Sequence, residues 1–91
     1  MKSPIITLQS NGGNLGLRIN HIIDQLDDLP SNINVTSLTF VSSREHPLTT
    51  TEYATFAENF PQWQLGGDAY INFQTDSTLG NTVKLILRVE D

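Results

Sequence analysis

The residues of this chain best equipped for chemistry are His21, Asp24, Asp27 and Asp28. On a helix, His21 and Asp24 stand one turn apart and Asp28 one turn further on, which places an imidazole and carboxylates on one polar face, a donor set for a divalent metal. A tight transition-metal site wants three or four converging ligands, and the other histidine, His46, falls in a separate loop before Pro47. The row therefore reads as a solvated acidic face, with no metal or cofactor expected. Asp27 and Asp28 fall near a helix C-terminus, where the dipole disfavours negative charge, so the row is a candidate contact for a partner protein.

Acid–base or nucleophilic catalysis finds no such grouping. Arg44, Glu45 and His46 are consecutive in a polar loop, Glu52 is engaged in capping a helix, and no Ser or Thr sits in a Gly-x-Ser-x-Gly or Ser-x-x-Lys setting. The expectation is a protein that is not an enzyme. A Gly-rich turn, Ser10-Asn11-Gly12-Gly13-Asn14-Leu15-Gly16, joins a strand to a helix in the manner of a phosphate cradle, but it lacks the Lys-Ser/Thr ending of a P-loop and the glycine spacing of a dinucleotide fingerprint. It supports only the second reading, a small-ligand or anion-binding regulatory domain using residues 11–16. Trp63 stands between Pro61 and Gly66-Gly67, where an indole either folds over the helix end or serves as a binding anchor.

Composition narrows the field further. Ten acidic residues against five scattered basic ones give a net charge of −5. Nucleic acid is therefore not an expected partner, because phosphate binding needs clustered cations; a basic protein surface suits the charge better. The absence of cysteine removes disulfides, thiolate nucleophiles and thiolate metal sites. Neither a signal-peptide pattern nor an apolar run of membrane-spanning length is present, so the expected setting is the cytoplasm, away from membranes.

The elements that must position these residues follow from periodicity. Ile5 to Gln9 reads as a first strand. Leu15, Ile19, Ile22, Leu26 and Leu29 step by four, three, four and three, an amphipathic helix with Asn14 as N-cap and Pro30 beyond its end; a hairpin strand over residues 15–19 is the competing reading. Ile33 to Val41 is rich in β-branched and aromatic residues and reads as a central strand. Thr49 and Glu52 form a capping box, Leu48 and Tyr53 a hydrophobic staple, and Tyr53, Phe56, Ala57 and Phe60 the inner stripe of a second helix ended by Pro61. Ala69, Ile71 and Phe73 alternate with Tyr70, Asn72 and Gln74, and Val83, Leu85, Leu87 and Val89 with Lys84, Ile86 and Arg88, which predicts a terminal hairpin.

One domain over residues 1–91 results: an α+β two-layer sandwich, a four-stranded mixed sheet with two helices on one face, in the order β-α-β-α-β-β. The sheet face away from the helices would carry Tyr70, Asn72, Lys84, Ile86 and Arg88, a surface fit for a partner protein or a homodimer. The expected function is a non-catalytic protein-binding module, a small inhibitor or adaptor of the phage, immunity or defence-system type. It would act by occupying a partner's surface through Trp63, this sheet face and the Asp24, Asp27, Asp28 row.

Overall fold

The computed structural model describes residues 5–11, 15–30, 33–63 and 70–90. Strand β1 (Ile5–Asn11) is followed by helix α1 (Leu15–Asp27), strand β2 (Asn34–Ser42), helix α2 (Thr50–Asn59), strand β3 (Tyr70–Thr75) and strand β4 (Thr82–Glu90), with 3-10 turns at Pro61–Trp63 and Ser77–Leu79. The architecture is the expected one, a four-stranded mixed sheet with both helices on one face. Residues 15–19 belong to α1, so the unbroken apolar spacing prevails over Gly16 and the β-branched residues. The Asn14 cap and the Gly12-Gly13 pair lie outside the described residues, as do residues 64–69.

The order of strands in the sheet is β1-β4-β2-β3. The predicted terminal hairpin therefore does not form. β4 runs antiparallel between β1 and β2, whereas β3 pairs in parallel with the far side of β2. Burial explains the exchange: Val83, Leu85, Leu87 and Val89 are all buried along β4, the strand with the most apolar surface to withdraw from water. Each such side chain stabilises the fold by about 1.5–3 kcal/mol when fully buried. β3 exposes Asn72, Phe73, Gln74 and Thr75 and loses less at an edge. Its connection to β4 passes the end of β2 through the Ser77–Leu79 turn, which Asp76 caps and Gly80 closes with φ 59°.

β2 is inner, as expected, but is interrupted. A bulge between Val35 and Ser37 leaves Thr36 without an opposite residue, and the Thr36 hydroxyl donates to the Arg88 carbonyl at 3.1 Å. The bulge is what lets Val35 and Leu38, three positions apart, both enter the core. α1 packs over β1 and β4 and against α2; Phe56 of α2 meets Phe40 of β2 edge to face at 4.9 Å. Thr49 caps α2 as predicted: its hydroxyl accepts from the Glu52 amide at 3.0 Å, and its own amide donates to Glu52 Oε1 at 2.9 Å. Leu48 and Tyr53 both pack against the core. The helix stops at Asn59, Phe60 serves as C-cap, and Pro61 opens the following turn.

Candidate functional site

In sheets with parallel strands, ligands commonly bind beyond the carboxyl ends of the strands. Here that place lies past Ser42 and Thr75, under the loops 43–49 and 76–81, and it is filled by protein. Arg18 reaches it from α1. Its Nε donates to Glu52 Oε2 at 3.0 Å and its Nη2 to Glu52 Oε1 at 2.7 Å. Nη2 also donates to the Pro47 carbonyl at 3.0 Å, and Nη1 to the carbonyls of His46 at 3.0 Å and Asn81 at 3.2 Å. All five N–H positions of the guanidinium are engaged. Arg18 and Glu52 are 0% and 2% exposed, so the pair is sealed from water. Burial pushes the Glu52 carboxyl up, but the hydrogen bonds from Arg18 and from the Thr49 amide, with the Arg18 charge, outweigh it and hold the group below its ordinary value of 4.5.

The same end is tied further by two serines. The Ser42 hydroxyl accepts from the Leu48 amide, and the Ser43 hydroxyl accepts from the His46 amide and donates to the Gly80 carbonyl. Arg44 and Glu45 lie outside this knot, on a shallow recess shared with Thr75 and Ser77. Sequence reasoning passed over Arg18. The signal was its spacing: Arg18 lies four residues before Ile22 on the buried stripe of α1, as Glu52 lies four before Phe56 on that of α2. A charge on each inner stripe is the mark of a buried pair.

His21 is exposed on α1, and its Nδ1 lies 3.3 Å from the hydroxyl of buried Ser10. The imidazole satisfies a hydroxyl that β1 turns toward the helices. Among the described residues no carboxylate holds the other ring nitrogen, so the third member of a nucleophile–base–orienter set is not seen there. Beside them is a polar cavity of about 510 Å³, lined by Gln9, Asn11, Thr78, Thr82 and Lys84 as well as Ser10 and His21. Asp24, Asp27 and Asp28 are exposed, and among the described residues no group of three or more His, Cys, Asp or Glu converges on a metal position.

The fold joins two of the predicted contact candidates. Trp63 and Asp27, distant in the chain, line one groove of about 380 Å³. One wall is Leu26, Leu29, Pro30 and Ile33, from the end of α1 and the approach to β2; the other is Phe60, Gln62 and Trp63. Trp63 is half-buried, its ring stacked on Phe60 at 5.1 Å with 10° between the planes, which holds the indole in place without hiding it. α1 has no basic residue in its last turn to offset the three aspartates.

No family model, curated protein or solved structure matches this chain. The reading of the site therefore rests on geometry and charge.

The sheet face away from the helices carries the remaining candidates. Ile86 pairs across to Thr7 and Thr39, and Lys84 to Gln9 and Val41. Asn72 lies opposite Thr39 and Gln74 opposite Val41; Tyr70 is in register with Ser37. Because β2 separates β3 from β4, Lys84, Ile86 and Arg88 form one column and Asn72 and Gln74 another, not the contiguous patch a hairpin would give. Among the described cations, Arg18 is buried, Arg44 lies in a loop, and Lys84 and Arg88 share this face. The acidic row of α1 lies on the opposite side of the molecule.

Proposed function

We propose that this protein is a non-catalytic binding module that holds another protein through the Trp63 groove. Its target is a basic segment that seats an apolar side chain between Leu29 and Trp63 and places a cation beside Asp27. The observation that carries the reading is the meeting of a half-buried, stacked tryptophan with an aspartate row that has no basic residue in the last turn of its own helix. Aromatic side chains in partly desolvated pockets are where binding energy concentrates. Three carboxylates at a helix C-terminus are a standing electrostatic cost that a basic partner relieves. The Lys84, Ile86 and Arg88 column, with Asn72 and the Tyr70 position, is a secondary contact face. Occupying a partner's surface is how small inhibitors and adaptors act, and a cytoplasmic setting fits this role; among the described residues no helix is long and apolar enough to cross a membrane.

The experiment is capture from a lysate of the source organism with wild type, Trp63→Ala and Asp24→Asn/Asp27→Asn/Asp28→Asn, each shown folded by circular dichroism. A protein retained by wild type, lost with Trp63→Ala and weakened by the charge-neutral triple variant and by salt carries the proposal. Retention that ignores all four residues rejects the groove. The small-ligand reading keeps one supporting observation, the polar cavity beside Asn11 with Lys84 and His21 on its wall. A thermal-shift screen with inorganic phosphate and nucleotides tests it: a ligand at about a hundred times its dissociation constant adds about 2.7 kcal/mol.

A further inference from the structure

We infer that β3 is a pairing edge for a second copy of this chain, two β3 strands running antiparallel about a two-fold axis so that two four-stranded sheets become one of eight. Among the described residues β3 has a strand neighbour, β2, on one side only. Its residues, Tyr-Ile-Asn-Phe-Gln-Thr, include no charge and no proline, two of the devices by which edge strands refuse pairing. The opposite edge differs. There Gln25 of α1 donates to the Gln9 carbonyl at 3.1 Å and occupies an outward acceptor of β1.

A second copy is the occupant that fits. Phe73 is 56% exposed on the helix side of β3, 5.9 Å from the Phe40 ring and 5.8 Å from that of Tyr53, an apolar surface left unfinished at the rim. In a two-fold antiparallel pair, residues opposite each other point to the same face, so both helix layers stay on one side of the joined sheet. Centring the axis on residue 72 sets Phe73 against Ile71 of the copy; centring it on residue 73 sets Phe73 against Phe73. Either way the exposed ring meets an apolar one. Charge favours this approach as well. A net charge of −5 opposes self-association, but the aspartate row lies on α1, over β1 and β4; nearer β3 the described carboxylates are Glu58 of α2, Asp76, which Thr78 holds, and Glu45, which lies beside Arg44. The β3 side is where two copies meet without bringing the α1 aspartates together. The inference is independent of the Trp63 groove.

Sedimentation velocity from micromolar to millimolar protein tests it, with wild type, Phe73→Lys and Gln74→Lys. Both variants place a charge on an exposed position of β3, and Gln74 on the open face can be changed even if Phe73→Lys disturbs folding. The expected result is a wild type that shifts from monomer to dimer with concentration and lysine variants that remain monomeric with unchanged circular dichroism. Because the chain has no cysteine, Asn72→Cys and Phe73→Cys give a second readout. Directly opposed positions have Cβ atoms about 4.5–5.5 Å apart, so one of the two variants oxidises to a linked dimer under native conditions. A wild type that stays monomeric to millimolar concentration, or a dimer that persists in both lysine variants, overturns the inference.

Discussion

Arg18 shows how much of this fold depends on one side chain. Removing one partner of a buried ion pair costs about 3–5 kcal/mol because the other charge is left unpaired, so Arg18→Met should lower urea stability by that amount. The double variant Arg18→Met/Glu52→Leu should recover much of the loss, since it removes both charges together. Equal destabilisation in single and double variants would show that the unpaired Pro47, His46 and Asn81 carbonyls, together with the lost Thr49 cap, outweigh the relief of the Glu52 charge. The pH dependence has a fixed sign. The Glu52 carboxyl titrates lower in the folded chain than in the unfolded one, so the unfolded state binds more protons in the interval between the two values. The stability Glu52 contributes is complete above about its ordinary 4.5 and is lost as pH falls through the folded value. Denaturation across pH 3 to 7, at about unit steps, should show this dip in wild type and a shallower one in Glu52→Gln.

At the level of elements, Gly80 closes the β3–β4 connection. A methyl group at this position would have no atom within 4 Å, so its cost is one of backbone alone. With φ 59° and ψ −123°, Gly80→Ala should destabilise by about 1–3 kcal/mol, read from the shift in denaturation midpoint, while the packing around the turn stays as it is. The same connection marks the boundary of what the amino-acid sequence discloses. Both helices and the capping box were legible because they depend on residues three and four apart, although α1 ends at Asp27, short of the Leu29 that the apolar stripe reaches. Strand existence was legible for β3 and β4 because alternation is local. Their pairing was not, since alternation states which face a residue occupies and is silent on which strand lies beside it. That choice was made by relative burial across the whole sheet. The groove was half legible: Trp63 and Asp27 each stood out as a contact candidate, but nothing in their spacing placed them together. Arg18 was legible only as a charge on an apolar stripe.

At the scale of the molecule, the described charges are partly sorted by layer. Aspartates lie along the outer side of α1, while Lys84 and Arg88, with Glu90 at the strand end, occupy the bare sheet face. The three aspartates near the end of α1 act against the helix that carries them, so Asp28→Lys should stabilise the isolated protein by about 0.3–1 kcal/mol while weakening attachment of a basic partner. Opposite signs in a thermal melt and a binding assay would separate a site kept for recognition from one that is merely solvated. Parallel losses in both would assign Asp28 to the fold.

The position of β4 bears on how the molecule assembles in time. β2, α2 and β3 are consecutive and can associate among themselves, but among the described residues β1 has no strand partner other than β4, with Ile6 lying opposite Leu87. Without residues 82–90 the sheet would be β1 and the β2–β3 pair with a gap between them, joined through α1, which packs on β1 and against α2. Closure of that gap requires contacts between residues far apart in the chain, the slow kind. Leu87→Ala, which thins the strand that fills the gap, is therefore expected to slow refolding in stopped-flow experiments. Phe56→Ala, whose contact with Phe40 lies within the consecutive unit, should slow refolding as well, since that unit is in place when the gap closes. A chain in which β4 is not yet in place exposes facing edges of β1 and β2 to mispairing with its neighbours.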